Sequence, residues 1–337
     1  MAPNVFGDLL IVLGFAFNIL AGLFFVLTSM GKSQFENLAF KAYHLFTVVI
    51  TIALIYLSYL FFSGEYIVRY VHDYSDSTLS FFYTLSALWG GQEGTYLLWL
   101  GMNAWLGYII IFKTAQYRNI AMGVFSVVNL FFLFLLVKLS PFALLDFVPA
   151  DGAGLNPLLQ DPWMVIHPPV IFVGYSMAGV LFSIAIAALL MKDYTGWVQK
   201  VFPWAAITTL MLAAGNILGG YWAYKTLGWG GFWAWDPVEN SSFIPWFISL
   251  ALIHGLIIEK RTGALRKTNL LMTSFVFLLV IYGTFLTRSG VLADFSVHSF
   301  VDLGINQYLV VFLVLYLLIS VALYLMNRVN VILASIL

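Results

Sequence analysis

The 337-residue sequence contains no cysteine. Disulfides, thiolate-bound metals, iron–sulfur clusters and thiol redox chemistry are therefore excluded for this chain. Charge is scarce: Asp, Glu, Lys and Arg make up 9% of the residues, against roughly 25% in a soluble domain. Hydrophobic residues make up 62%, and mean hydropathy is +0.96. A water-soluble fold cannot hide that much apolar surface, so a soluble enzyme is excluded. Fifteen basic and fifteen acidic residues cancel, which leaves no basic face for nucleic acid. No polar linker, short-period repeat or low-complexity tract divides the chain. Aromatics, in contrast, are abundant at 18%, with eleven tryptophans. This composition predicts an all-α integral membrane protein, a single polytopic domain over 1–337.

A helix needs about 20 apolar residues to cross the hydrocarbon core. Nine segments qualify, near 9–29, 42–62, 95–112, 120–139, 165–190, 203–223, 244–258, 269–287 and 306–326. The seventh is short and carries Pro245 near its start. Basic residues concentrate in loops that stay in the cytoplasm. With the N-terminus outside and the C-terminus inside, eleven of the fifteen Lys and Arg fall on the inner side and twelve of the fifteen acids on the outer side. The outer segments 64–94, 140–164, 224–243 and 288–305 are the longer ones. They hold most of the Gly, Trp, Asp and Glu, whereas loops built only for connection are usually short. A site at the external membrane surface is expected.

Five histidines are available to such a site. His254 lies inside the seventh span, where an ionisable side chain is costly and marks a candidate functional position. It reads either as a haem-iron ligand or as a neutral imidazole bonded to a helix carbonyl. His167 opens the fifth span in Ile166-His167-Pro168-Pro169, and His298 sits in the outer loop 294–300. Together they form a candidate pair of external iron ligands. Prolines are tolerated near a helix start and stiffen the approach to His167. His44, at the inner end of the second span, and His72, in a polar outer segment, read as interfacial and surface histidines.

The external segment 221–246 holds five of the eleven tryptophans. An aromatic belt at the membrane interface explains tryptophan. It does not explain the interleaved Gly228, Gly230 and Gly231, nor the Asp236-Pro237 and Glu239-Asn240 that follow. Glycine permits close backbone approach to a flat ligand, and indole faces make a wall that stacks on a planar ring.

The stretch Gly228-Trp229-Gly230-Gly231-Phe232-Trp233-Ala234-Trp235-Asp236-Pro237-Val238-Glu239-Asn240 closely resembles the tryptophan-rich signature of the CcmF/CcsA haem-handling family of cytochrome c biogenesis. It is closest to the N-terminal half of the CcmF branch. The other marks of that branch follow in order: Ser86-Ala87-Leu88-Trp89-Gly90-Gly91-Gln92-Glu93-Gly94, Leu155–Pro162 running into His167-Pro168-Pro169, Ala251–His254, and Gly283–Leu292 leading to His298.

The resemblance implies a haem lyase component of the cytoplasmic (inner) membrane, working at its periplasmic, external face. There it attaches haem b covalently to apocytochrome c, adding the two thiols of a Cys-x-x-Cys-His segment across the haem vinyl groups. It implies that His167 and His298 ligate the incoming haem, and that His254 ligates a membrane-embedded b-type haem serving reduction, with quinol as electron source. Trp229, Trp233 and Trp235 would line the porphyrin. Asp236 would orient a ligand or cap the next helix, and Arg288 would pair with a propionate or act as an interfacial anchor. Implied partners are a CcmE-like haem chaperone, CcmH-like subunits and the apocytochrome. Family members are roughly twice this long and take the second ligand of the membrane haem from their later half. A second CcmF-type polypeptide is therefore a further expected partner, with His44 as the alternative ligand. Two other readings compete: a b-type cytochrome subunit of a quinol dehydrogenase, and a haem transporter. The first normally needs facing histidines inside the membrane, and the second several buried polar groups at the midplane.

Overall fold

The computed structural model describes residues 4–226, 231–294, 296 and 299–336, with side chains described as far as 327. Among these residues the chain forms helices and no β-sheet. In chain order the helices are α1 Val5–Ser29, α2 Glu36–Ser63, the short α3 Arg69–Tyr74 and α4 Phe81–Ala87, α5 Gln92–Lys113, α6 Arg118–Lys138, α7 Pro162–Met191, α8 Trp197–Lys225, α9 Pro237–Thr262, α10 Arg266–Arg288 and α11 Asn306–Ile336. The nine long ones are apolar enough to cross a membrane, as the hydropathy of the sequence predicts.

α7 forms the axis of the bundle. Its most apolar window is 83% buried, against 28% for α8, 33% for α9 and 17% for α11. Small residues make that burial possible. Ala178, Gly179, Ala185, Ala187 and Ala188 of α7 are all enclosed, and small side chains let neighbouring backbones approach closely. At the crossing with α8, a Cβ on Gly174 would lie 2.9 Å from Leu212, and one on Gly215 would lie 2.5 Å from Ile171. The two helices are antiparallel and meet at backbone distance along this row.

Helix ends explain where the structure departs from the predicted spans. Helix α9 starts at Pro237, well before the apolar run near 244. Asp236 caps it, its Oδ1 accepting from the backbone N–H of Val238 at 2.7 Å and of Glu239 at 3.1 Å. Pro237 occupies the first helical position, where an N–H would have no intrahelical partner. Pro245 lies inside the helix without ending it. Helix α7 likewise begins at Pro162, capped by Asp161, so Pro168 and Pro169 stand in its second turn rather than at its start. A proline there frees the carbonyl four residues back. For Pro168 that is Met164, whose carbonyl accepts from Trp89 Nε1 at 3.3 Å.

Loops at the end of the bundle carrying the tryptophan segment are tied to one another. Arg69 donates its backbone N–H to Ala143 at 2.8 Å, and Leu145 donates to Ile67 at 2.8 Å. The hydroxyl and backbone N–H of Ser77 both donate to Asp151, which holds that carboxyl below its usual range. At the opposite end the buried Glu259 accepts from Trp197 Nε1 at 3.0 Å and from Asn269 Nδ2 at 2.7 Å. One carboxylate thus joins α8, α9 and α10.

Candidate functional site

A cavity of about 320 Å³ opens among the α5 N-terminus, α7, α8, α9 and α10. His167, Trp222, Trp233, Glu239, Arg288 and Phe300 are among its lining residues.

His167 is placed by the α7–α8 crossing. One turn beyond the Ile171–Gly215 contact, its ring lies against Gly219, where a Cβ would come within 2.7 Å of Cε1. Nδ1 lies 2.8 Å from the carbonyl oxygen of Gly215. A carbonyl only accepts, so this contact assigns the proton to Nδ1 and leaves the ring lone pair on Nε2, the arrangement a metal-ligating histidine uses. The Trp222 ring stacks on the imidazole at 6.2 Å and 29°.

The described part of the tryptophan segment folds over this group. Phe232 packs on Gly220, whose Cβ would lie 2.9 Å from the Phe232 carbonyl oxygen. Trp233 Nε1 donates to Asn240 Oδ1 at 3.2 Å, and its ring meets Phe243 edge-on at 5.7 Å. Glu239 turns back to accept the backbone N–H of Ala234 at 2.7 Å. Trp235 differs from its neighbours: its φ is +60° and its side chain is 73% exposed. Asn240 Nδ2 donates to its carbonyl at 3.1 Å. Asp236, besides capping α9, accepts from the Ser296 hydroxyl at 3.0 Å. Trp229 and His298 lie outside the described residues. The loop that carries His298 is fixed at nearby points, where Phe300 donates its backbone N–H to Thr287 at 2.8 Å and Gln92 Nε2 donates to Val301 at 2.8 Å.

Arg288, at the last turn of α10, is only 6% exposed. Its guanidinium lies between two aromatic faces, 5.0 Å from the Tyr96 ring centre and 4.8 Å from that of Phe300. Nη1 is buried and has no hydrogen-bond partner among the described residues. The nearby carboxylate of Glu93 pairs instead with Arg69, at 3.6 Å. Burial pushes the Tyr74 phenol up to about 12, with Glu93 and Asp73 adding to the shift, so the turn beside the cavity gains no negative charge from it. A buried cation facing a cavity without a paired anion is an arrangement that binding an anion stabilises.

The other histidines stand apart. His254 is exposed, on the outward face of α9 with Ile244, Phe247 and Ile258, roughly 25 Å along the helix from Pro237. His44 Nδ1 lies 2.9 Å from the Tyr108 hydroxyl in a lateral groove between α2 and α5. His72 Nδ1 lies 2.8 Å from Asp73. His167, Trp233 and Arg288 therefore share one cavity, and His254 does not belong to it. Several residues of the site have no counterpart among the sequence-derived candidates: Trp89, Trp222, Glu239 and Gly219 in the cavity lining, and Gly215, which with Gly219 seats the imidazole. The spacing Gly215-x-x-x-Gly219 inside an apolar span is the readable signal for that close approach.

The sequence matches the family described as Cytochrome C assembly protein over residues 89–292. The chain belongs to that family. It is 41% identical over 251 residues to the cytochrome c-type biogenesis protein CcmF of Pseudomonas aeruginosa, an alignment covering 72% of this chain and 38% of that protein. To CcmF of Escherichia coli K12 it is 39% identical over 263 residues, covering 75% and 40%. Its fold matches a solved structure of the cytochrome c haem lyase CcmF with a TM-score of 0.79 at 25% identity, covering 96% of this chain and 51% of that one. The chain thus spans about half the length of these curated relatives, with 38% and 40% of them aligned, and about half of the solved one.

The seating of His167 is directly testable. Gly219→Ala places a methyl group against the imidazole and should destabilise the detergent-solubilised protein by about 1–3 kcal/mol, the usual cost of overpacking. Ile217→Val on the outward face of the same helix should be nearly silent. Thermal unfolding of the two variants side by side checks this.

Proposed function

We propose that this cavity holds haem as a substrate for covalent attachment to apocytochrome c, with the chain acting as part of a haem lyase. The observation that carries this reading is His167: an imidazole with its proton assigned to Nδ1, in the wall of an aromatic-lined cavity that also contains the buried Arg288. His167 supplies one iron ligand and His298 the other. One of them gives way when the histidine of the apocytochrome's Cys-x-x-Cys-His segment arrives. Trp233, with Trp229 and Trp235, stacks along the macrocycle, and Arg288 takes a propionate. Each thioether forms by addition of one S–H across one vinyl group, with sulfur bonding to one carbon and hydrogen to the other. The task of this chain is to hold the ring in register while that happens. It has no thiol that the vinyl groups could consume.

The charge asymmetry of the loops supports an inner-membrane orientation with this cavity outside. A haem-carrying chaperone of the CcmE type, CcmH-like subunits and the apocytochrome are the partners this reading requires.

His254 would hold the iron of a resident b-type haem as one of its ligands, and that haem would supply electrons to the external iron, with quinol as their source. The fit is half a site: the outward face of α9 around it is apolar, with Ile244, Phe247 and Ile258. The second ligand then comes from protein outside these 337 residues, either a later segment or a separate CcmF-type polypeptide packed on α9. His44 stands in the α2–α5 groove instead, which makes it a poor substitute.

Three outcomes test this reading. His167→Ala should cut haem capture from a haem-loaded donor at least tenfold, with partial recovery on adding imidazole. Normal maturation of cytochrome c by the variant would remove His167 from the site. The wild type should bind haem more tightly than its dimethyl ester, a preference that Arg288→Gln should abolish. Equal affinities in the wild type would place no propionate at Arg288. Finally, with the external site emptied by His167→Ala, these 337 residues alone should give no six-coordinate b-type spectrum, whereas adding the partner polypeptide should produce one that a further His254→Ala eliminates. A six-coordinate spectrum from the isolated chain, lost in His44→Ala, would make the chain self-sufficient.

A further inference from the structure

One group of buried polar side chains takes no part in the cavity. Trp99 of α5 packs against Phe132 of α6, with ring centres 4.5 Å apart, and against Phe172 of α7 at 5.2 Å. Helices α5 and α7 run away from the cavity end of the bundle, and α6 runs toward it. One helical turn deeper from each of these three aromatic residues stands a polar one: Asn103 four residues after Trp99, Ser176 four after Phe172, and Asn129 three before Phe132. Positions three or four apart share a helix face, so the three polar side chains occupy one level beneath the aromatic contact.

All three are at most 1% exposed. Both amide atoms of Asn103, both of Asn129, Ser176 Oγ and Trp99 Nε1 have no hydrogen-bond partner among the described residues. A buried polar group left unpaired costs roughly 1–3 kcal/mol, and within a bilayer no solvent is at hand to satisfy it. Five such atoms at one level, with the Trp99 indole N–H one turn above them, therefore need a ligand.

We propose that Asn103, Asn129, Ser176 and the Trp99 indole hold a cluster of internal water molecules in the centre of the bundle. The donor and acceptor inventory selects water. Two amide NH2 groups and an indole N–H donate, while two amide oxygens and a hydroxyl accept. A cation would serve the oxygens and face the N–H groups with like charge. Water serves both sets, and buried waters typically make about three such bonds. Phe172 also lines the cavity, as does Tyr175, which packs on Trp99 at 5.4 Å. The cluster thus lies one side-chain layer beneath the cavity floor. On its far side the Tyr43 hydroxyl donates to the Ala104 carbonyl at 2.9 Å.

X-ray hydroxyl-radical footprinting of the 337-residue chain in detergent micelles tests the proposal, because bound water generates radicals next to the side chains that hold it. Trp197 is the internal reference. It is as buried as Trp99, but its indole N–H is bonded to Glu259. In the wild type, Trp99 should be modified several-fold faster than Trp197. Ser176→Ala and Asn129→Leu should each bring Trp99 down toward the reference. Equal modification of the two tryptophans in the wild type overturns the proposal and means that the amides bond directly to one another. That comparison needs no variant, so it stands even if a substitution prevents folding.

Discussion

The bond between the His167 imidazole and the Gly215 carbonyl is the constraint around which the site is built. It requires α7 and α8 to approach at backbone distance, which Gly174, Gly215 and Gly219 permit. It fixes the tautomer, and so decides which ring nitrogen carries the lone pair. It also sets the register of the two helices, with Ile171 on Gly215 and the imidazole on Gly219. Any residue with a Cβ at 219 must shift the ring whose position gives the cavity its chemistry.

A bilayer makes each unsatisfied polar group expensive, and this end of the bundle meets that demand through reciprocal bonds. The carbonyl that Pro168 cannot serve is served by Trp89, which ties the helix bearing His167 to the turn over residues 86–95. Asp236 serves the first N–H groups of α9 and also holds Ser296. Glu239 serves the Ala234 amide. Ser242 and Asn216 bond to each other in the cavity wall, the Ser242 hydroxyl donating to Asn216 Oδ1 at 2.7 Å. Against that background Arg288 stands out. It is enclosed by two aromatic rings and keeps an unpaired nitrogen, the kind of group that a carboxylated ligand completes.

The nine spans were legible in the sequence because a hydrocarbon core reads length and apolarity, and both are sequence properties. Helix starts were less legible. Pro237 and Pro162 follow capping aspartates in stretches too polar to count as span, so hydropathy placed the α9 start about two turns late. The motifs around His167, His254 and residues 228–240 carried the family. Their division of labour needed three dimensions. Asp236 could be read as a ligand-orienting group or a cap, and in the structure it caps α9 and also accepts from Ser296. Arg288 could be read as an interfacial anchor, yet it is buried in the cavity wall. His254 is inside a span in either case, but only the packing of α9 on α8 and α10 turns it outward. The spacing of Gly215 and Gly219 signals a close approach but not a site, because glycine in an apolar run has no chemistry of its own; its meaning lies in what stands opposite.

Trp235 sits in the left-handed region, where glycine is at ease and a tryptophan is not. Such a residue stores on the order of 1 kcal/mol or more of backbone strain, here offset in part by the Asn240 amide. Its side chain is exposed, two residues along the chain from Trp233 in the cavity wall. Glycine at this position would relax the backbone and delete the indole in a single change. On the proposed reading, in which this indole lies along the porphyrin, a selection for thermal resistance and one for cytochrome maturation rank that one variant in opposite order, and residue 235 is a place where durability is given up for reach.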